Sequence, residues 1–484
     1  MNIGQNNRFR TEKDLLGTKE VLSSSYYGIH TLRALENFQI SQQKIGEQHH
    51  FILTLAQVKK AAAQANQFFG KLTEQQSQAI QAACQELIDT PENWEKHFPL
   101  DVYQGGAGTS INMNTNEVIA NLALEMTGHD KGSYYIIHPN DHVNKSQSTN
   151  DVYPTALRVA TYYALDQLFM QVENLITSLE YKATEFRFVL KMGRTQLQDA
   201  VPMTLGQEFR AFATLLKEDV RLIQKMRQLL LEINLGATAI GTGVNTPQGY
   251  AAKVVECLKE ITGLPLSGAE DYVEATSDCG VFIILSSSLK RLACKLSKIC
   301  NDLRLLSSGP RTGLAEISLP EMQAGSSIMP AKVNPVIPEV VNQIAFKVIG
   351  NDLTITFAAE AGQLQLNVME PVIAQALNES IGLLTQGIKT LDEKCIQGIH
   401  ANEKTCYEAV MRSVGIITLL EPILGHGACD EIGKQCIAEN RTIQDVVLEK
   451  KLLTEKQLEE IFSFENLVSE VLSGSASQTL DQVS

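Results

Sequence analysis

Between residues 281 and 306 apolar side chains recur at Leu285, Leu289, Leu292, Leu296, Ile299, Leu303 and Leu306, in steps of four and three. That alternation keeps one stripe of a helix apolar, as in the seam of a helix bundle. Ser307-Ser308-Gly309-Pro310 follows, and glycine and proline just past the last periodic residue end a helix. The same stepping runs through Phe209, Phe212, Leu216, Val220, Ile223, Met226, Leu230 and Ile233, predicting a helix over 207–233. Residues 152–185 and the run from about 339 to 395 are also long, proline-poor and apolar at helical spacing. No set of alternating β-branched runs predicts a large sheet. The pattern implies an all-α chain with a bundle of very long helices through its middle. Helices of about 25 residues or more outrun a single small core, so association is the expected way to bury them.

At 484 residues the chain exceeds what one core usually sustains. It divides most simply into a mainly helical N-terminal domain over 1–140, the long-helix bundle over 141–395 and a small helical domain over 396–484. Ser473-Gly474-Ser475-Ala476-Ser477-Gln478 is small and polar, so the tail is expected to fray. With 41 basic against 55 acidic residues the net charge is −14, which argues against nucleic acid or an anionic membrane as the main partner. A small anion remains compatible, because a few local cations and helix N-termini can capture one. The nine cysteines include no CxxC and no Cys/His cluster at zinc spacing, so they read as reduced thiols and no metal site is expected. The N-terminus lacks an apolar signal-like core, and no apolar run reaches about eighteen residues. A soluble cytoplasmic protein is the expectation.

Small hydroxyl, amide and glycine residues collect in four segments between the helical runs. They are Gly105-Gly106-Ala107-Gly108-Thr109-Ser110 (followed by Asn112, Asn114 and Asn116), Asn144-Lys145-Ser146-Gln147-Ser148-Thr149-Asn150-Asp151, Gly193-Arg194-Thr195-Gln196-Leu197-Gln198-Asp199, and Gly325-Ser326-Ser327-Ile328-Met329-Pro330-Ala331-Lys332-Val333-Asn334-Pro335. Each of the first three also reads as ordinary structure: a glycine turn, an N-cap at Ser148-Thr149-Asn150, a solvated helix end. Gly241-Thr242-Gly243 reads as structural, since no strand precedes it and no GxGxxG follows. The fourth segment is harder to explain that way. Pro330 and Pro335 push the residues before them toward extended backbone, and Asn334-Pro335 suits an N-cap and first helical residue. Lys332 and Asn334 are two apart, so in an extended segment they face the same way and make a carboxylate trap. Gly325 gives Ser326 and Ser327 room to move. The four segments offer many neutral donors and few cations, with no His-Asp or Cys-His pair. That inventory fits a small dianion held by hydrogen bonds while charge develops on an oxygen.

The 325–335 segment resembles the signature of the aspartase/fumarase superfamily, and the likeness extends through Tyr26–Ala34, 105–117, 138–154, 193–208 and 325–343. Tyr27-Gly28-Ile29-His30-Thr31 and Val336-Ile337-Pro338-Glu339-Val340-Val341-Asn342-Gln343 are most similar to the bacterial aspartate ammonia-lyases. The resemblance implies three domains around five central helices, and a homotetramer pooling them into a twenty-helix core. It also implies active sites that draw loops from three subunits. The implied reaction is reversible anti-elimination of ammonia from L-aspartate to fumarate, through an enediolate, with Ser326 as the base. By the same analogy Thr109, Ser148, Thr149 and Ser327 hold the carboxylate whose charge grows. Lys332 and Asn334 clamp the α-carboxylate near Thr195, Asn150 lies near the amino group, and Ser110 and Gln196 complete the substrate-binding set. Glu339 has a supporting role. No cofactor enters the chemistry, and Mg²⁺ is implied only as an activator, with no ligand cluster to anchor it.

Gln196 stands where many superfamily members carry histidine. Water leaves well only when protonated, whereas an ammonium leaves as neutral ammonia, so this residue tilts the choice toward ammonia loss. His138 and His142 sit near the second segment, in a secondary anion site by analogy with fumarases or in a structural role. The alternatives are a class II fumarase acting on malate and a non-catalytic helical protein derived from the superfamily.

Overall fold

A computed structural model of the chain describes residues 9–325 and 327–468; Ser326 and the tail expected to fray lie outside them. Five long helices dominate: Thr149–Glu185, Leu205–Gln228, Gly280–Leu306, Val336–Glu360 and Glu370–Lys394. The Leu285-to-Leu306 stripe is buried throughout the third of them, as its periodicity requires.

One expected helix is corrected and one apolar run is divided, each by a single polar residue. The helix predicted over 207–233 stops at Gln228, and Glu232–Ile233 turns into a short strand. Arg158 explains the stop: its buried guanidinium donates to the carbonyls of Leu229 (3.3 Å) and Glu232 (2.9 Å), supplying the partners that a next helical turn would have provided. The apolar run from about 339 to 395 forms two helices. Asn367, itself buried, donates to the carbonyls of Ala358 (3.0 Å) and Ala359 (3.1 Å), ending the fourth helix, and accepts from Met369 N (2.8 Å) at the start of the fifth.

The all-helical expectation is also adjusted by four two-stranded ribbons, with no wider sheet among the described residues. Phe9–Asp14 pairs with Gly17–Leu22, Leu190–Thr195 with Gln198–Thr204, and Ile317–Ser318 with His400–Ala401, all antiparallel; Glu232–Ile233 pairs with Ser267–Gly268 in parallel. All nine cysteines are free, and all but Cys294 are buried. No helix among the described residues is long and apolar enough to cross a membrane.

The chain divides into two compact units. The first contains residues up to Met170, Asp219–Cys294 and Ile344–Gln386; the second contains Gln171–Glu218, Lys295–Gln343 and residues from Gly387 onward. Each long helix gives one portion to each unit. The first unit packs the helices His49–Phe68, Glu74–Asp89 and Thr109–Met126 around Leu55, Ile80, Ile111 and Ile119. In the second, Leu190 and Met192 of the hairpin join Ile416, Leu420, Ile432, Val446 and Phe462 in one apolar cluster.

Candidate active site

Two of the four polar segments lie in the first unit and two in the second. In the first unit, the Thr109–Met126 helix starts at Gly108, whose φ of +87° is left-handed and whose missing Cβ leaves room for the Tyr153 ring. No side chain caps this start, so Thr109 and Ser110 stand at an open helix N-terminus, which favours an anion. Thr109 is exposed and its hydroxyl donates to Gly106 O at 2.7 Å; Ser110 is half-buried.

The second segment begins the first long helix. Ser148 caps it: its Oγ accepts from Asn150 N (3.3 Å), and its own N–H donates to the Asp151 carboxylate (2.9 Å). Asp151 is fully buried and also accepts from Gly236 N and Thr238 N, each at 3.0 Å. Burial pushes its carboxyl up to about 6, against these donors. Pro154 sits inside the helix and has no N–H, so the carbonyl four residues earlier, that of Asn150, loses its helical donor. Asn234 Nδ2 fills the vacancy at 3.0 Å, while Asn150 Nδ2 donates to Ala239 O at 2.7 Å. The proline thereby ties Asn150 to the 234–239 loop.

Beneath Thr149 lies a lysine that the sequence reading passed over. Lys59 is fully buried, and its Nζ donates to Asn112 Oδ1 (2.7 Å), Asn144 Oδ1 (2.9 Å) and Gln147 Oε1 (2.9 Å). Burial lowers its amine to about 7, with Asp151 opposing the shift. Three acceptors use all three protons of an ammonium. The signal was available: Leu55, Lys59, Ala62 and Asn66 share one helical face of an alanine-rich run, and all four are buried.

In the second unit, the third segment is the turn of the Leu190–Thr195/Gln198–Thr204 hairpin. Gln196 and Leu197 occupy its two-residue turn with φ of +55° and +62°, leaving Thr195 and Gln196 exposed at the tip. Arg194 is drawn away from that tip by the buried Glu316 carboxylate (2.5 Å), which also pairs with Lys191 (2.9 Å).

The fourth segment closes on itself. Gly325 N donates to Lys332 O (2.8 Å) and Asn334 Nδ2 to Gly325 O (2.6 Å). A Cβ at 325 would collide with the Lys332 carbonyl, so glycine is required there for close backbone approach rather than only for freedom. Ser327 and Lys332 are exposed, Asn334 and Glu339 half-buried. The helix begins at Val336, one residue later than the Asn334-Pro335 pair suggested, and Asn334 accepts Val336 N through its backbone carbonyl (2.9 Å).

His138 Nδ1 accepts from Asn140 N (3.1 Å) and Asp141 N (3.2 Å), and His142 Nδ1 accepts from His138 N (2.8 Å). Both rings thus cap their own turn. Among the described residues no group of histidine, cysteine and carboxylate side chains could hold a metal ion.

The sequence model of the family described as Lyase matches residues 17–350, and that described as Fumarase C C-terminus matches 416–469. The chain is 59% identical over 462 residues to the aspartate ammonia-lyase of Escherichia coli (strain K12), covering 96% of each. Among solved structures, the fumarate lyase:delta crystallin from Brucella melitensis bound to cobalt superposes with a TM-score of 0.92 at 49% identity, over 95% of this chain and 99% of that one. The recombinant class II fumarase from Schistosoma mansoni superposes with a TM-score of 0.89 at 33% identity, over 94% and 98%.

Proposed function

The chain belongs to the lyase family, and from that premise we propose that it is a carbon–nitrogen lyase that eliminates ammonia from L-aspartate, reversibly, to give fumarate. The observation that carries this reading is the 59% identity to an aspartate ammonia-lyase across 96% of both chains, against 33% to a class II fumarase.

In the proposed reaction Ser326 removes the C3 proton next to the β-carboxylate, and the electrons pass into that carboxylate as an enediolate. Serine is a weak base, and each pKa unit the site shifts is worth about 1.4 kcal/mol. Exclusion of solvent and nearby cationic and dipolar groups would supply the shift. Ser148, Thr149, Ser327 and Thr109 would donate to the enediolate, although Thr109 must first release Gly106 O. Lys332 and Asn334 would hold the α-carboxylate near Thr195 and Gln196. Asn150, with its amide nitrogen bound to Ala239 O, has its oxygen left as an acceptor, which suits an ammonium. Gln196 supplies no acid, and none is required for ammonia to leave. Glu339, on the first turn of the fourth helix, would support the signature segment. The reaction so written uses no cofactor; Mg²⁺ would act only as an activator.

The same reading includes the three-domain division at 140/141 and 395/396 and a cytoplasmic homotetramer. Phe346, Ile349, Leu353 and Phe357, spaced by three and four along the fourth long helix, are 64, 38, 56 and 65% exposed. An apolar helical face left open in one chain supports burial against other copies.

Purified protein supplied separately with L-aspartate and L-malate tests the reading, fumarate being followed by its ultraviolet absorbance. Fumarate from aspartate is expected; fumarate from malate alone would make the protein a hydratase.

A further inference from the structure

The amides around Lys59 have a fixed polarity. Asn112, Asn144 and Gln147 all turn their oxygens to the ammonium, so their nitrogens must point outward. A flipped Asn112 would press its NH₂ against the ammonium and its oxygen against Asn144 Oδ1, which is already an acceptor. With Oδ1 on Lys59, Asn112 Nδ2 donates to Asn144 Oδ1 (3.2 Å) and to Thr149 Oγ1 (3.1 Å). Asn144 Oδ1 takes a further donor, Asn116 Nδ2, at 3.2 Å, which holds that side of the network in place.

The consequence falls on Thr149. Its oxygen accepts from Asn112, and its hydroxyl proton goes to no partner among the described residues. We propose that Asn112, set by Lys59, is a positioning residue that turns the Thr149 hydroxyl into an outward donor, committed to the substrate carboxylate on which negative charge grows. This inference rests on the proposed reading of Thr149 as a substrate contact. A threonine hydroxyl left to rotate can present either a proton or a lone pair to a carboxylate, and the lone pair repels it. Fixing the proton before substrate arrives removes that reorganisation from the reaction step, which is where preorganised donors act.

The Lys59 cage differs from a merely structural one in what it predicts for Asn112→Asp. That isosteric change keeps an oxygen on Lys59 and adds a favourable charge pair. It replaces the donor to Thr149 with an acceptor, so the hydroxyl would turn inward. Turnover of L-aspartate by Asn112→Asp should fall roughly 100-fold with KM little changed, at an unaltered melting temperature and oligomeric state. Thr149→Val should show a similar fall, and the double variant should be no slower than Thr149→Val alone, since the amide then has no hydroxyl to orient. Asn112→Leu, with the same branching and without either polar atom, gives the same cycle should the aspartate variant not fold, with the same masked loss expected.

Undiminished turnover in Thr149→Val would overturn the reading of Thr149 as a substrate contact, and the inference with it. A crippled Thr149→Val beside a normal Asn112→Asp, or two losses that multiply in the double variant, would overturn the inference alone.

Discussion

Lys332 and Asn334 hold different amounts of freedom. The lysine is exposed, while the asparagine amide already donates to Gly325 O. A charge-assisted hydrogen bond is worth about 1.5–3 kcal/mol, so Lys332→Ala should raise KM for L-aspartate roughly 10- to 100-fold. Steady-state kinetics would show this, with a smaller change in kcat unless the clamp tightens in the transition state. Ser326→Ala should lower kcat by about 100- to 10,000-fold, the usual worth of a general base, with aspartate still protecting the variant against thermal melting. Near-normal turnover in that variant would end the assignment of the base. A third residue gives a pH dependence. Glu370 is buried, and burial raises its carboxyl to about 8, with Arg158 opposing. Above its ordinary value of 4.5 the unfolded chain sheds this proton while the folded chain keeps it. Stability is therefore lost as pH rises from there to about 8, by up to about 1.4 kcal/mol for each unit. Glu370→Gln removes the titration, so its melting temperature should gain on the parent protein steadily between about pH 5 and pH 8. At this scale the sequence showed the loop residues, because hydroxyls, amides and glycines are rare in such density. It did not show Lys59, since a lysine inside an alanine-rich helix looks like a solvated one until its face is counted.

Elements fix where these residues stand. The Thr109–Met126 helix can start where it does only because Gly108 takes a left-handed φ against the Tyr153 ring. Gly108→Ala would impose about 1–2 kcal/mol of left-handed backbone strain and about 1–3 kcal/mol of overpacking. The relief available is to shift Thr109 and Ser110, so a lower melting temperature should come with a raised KM. A variant with normal KM would place the Thr109 end of this helix outside the substrate site. Element by element, legibility followed how locally each boundary was decided. The Gly280–Leu306 helix was readable over its whole length, because its stripe and its Gly-Pro stop are local. The end of the Leu205–Gln228 helix and the break before Glu370 were not. They depend on Arg158 and Asn367, whose bonds to distant or late carbonyls no periodicity records. The Pro154–Asn150–Asn234 arrangement is of the same kind: the proline is visible in the sequence, and the amide that answers it is 80 residues further along.

At the scale of the molecule, the open face of Phe346, Ile349, Leu353 and Phe357 and the division of the site residues between two units bear on the same question. Thr149 belongs to the first unit and Lys332 to the second, and both serve one substrate under the proposed function. If a site takes them from different copies, assembly is a condition of activity. Leu353→Arg, placing charge in the open face, should then give smaller species by size-exclusion chromatography with light scattering, and these should be inactive although every loop residue is intact. A sharper result comes from mixing. At L-aspartate concentrations near the parent KM, Thr149→Val and Lys332→Ala should each turn over slowly alone, because all sites in a uniform assembly share one defect. Co-expressed, they produce mixed assemblies in which some sites draw Thr149 from a Lys332→Ala chain and Lys332 from a Thr149→Val chain. Random assembly leaves roughly a quarter of the sites free of both changes, and that share of the parent rate should return at the same L-aspartate concentration. The recovered sites should show the parent KM, since nothing within them is altered. Were each site built within one chain, every site in every mixture would carry one of the two changes, and no fraction of the activity would return.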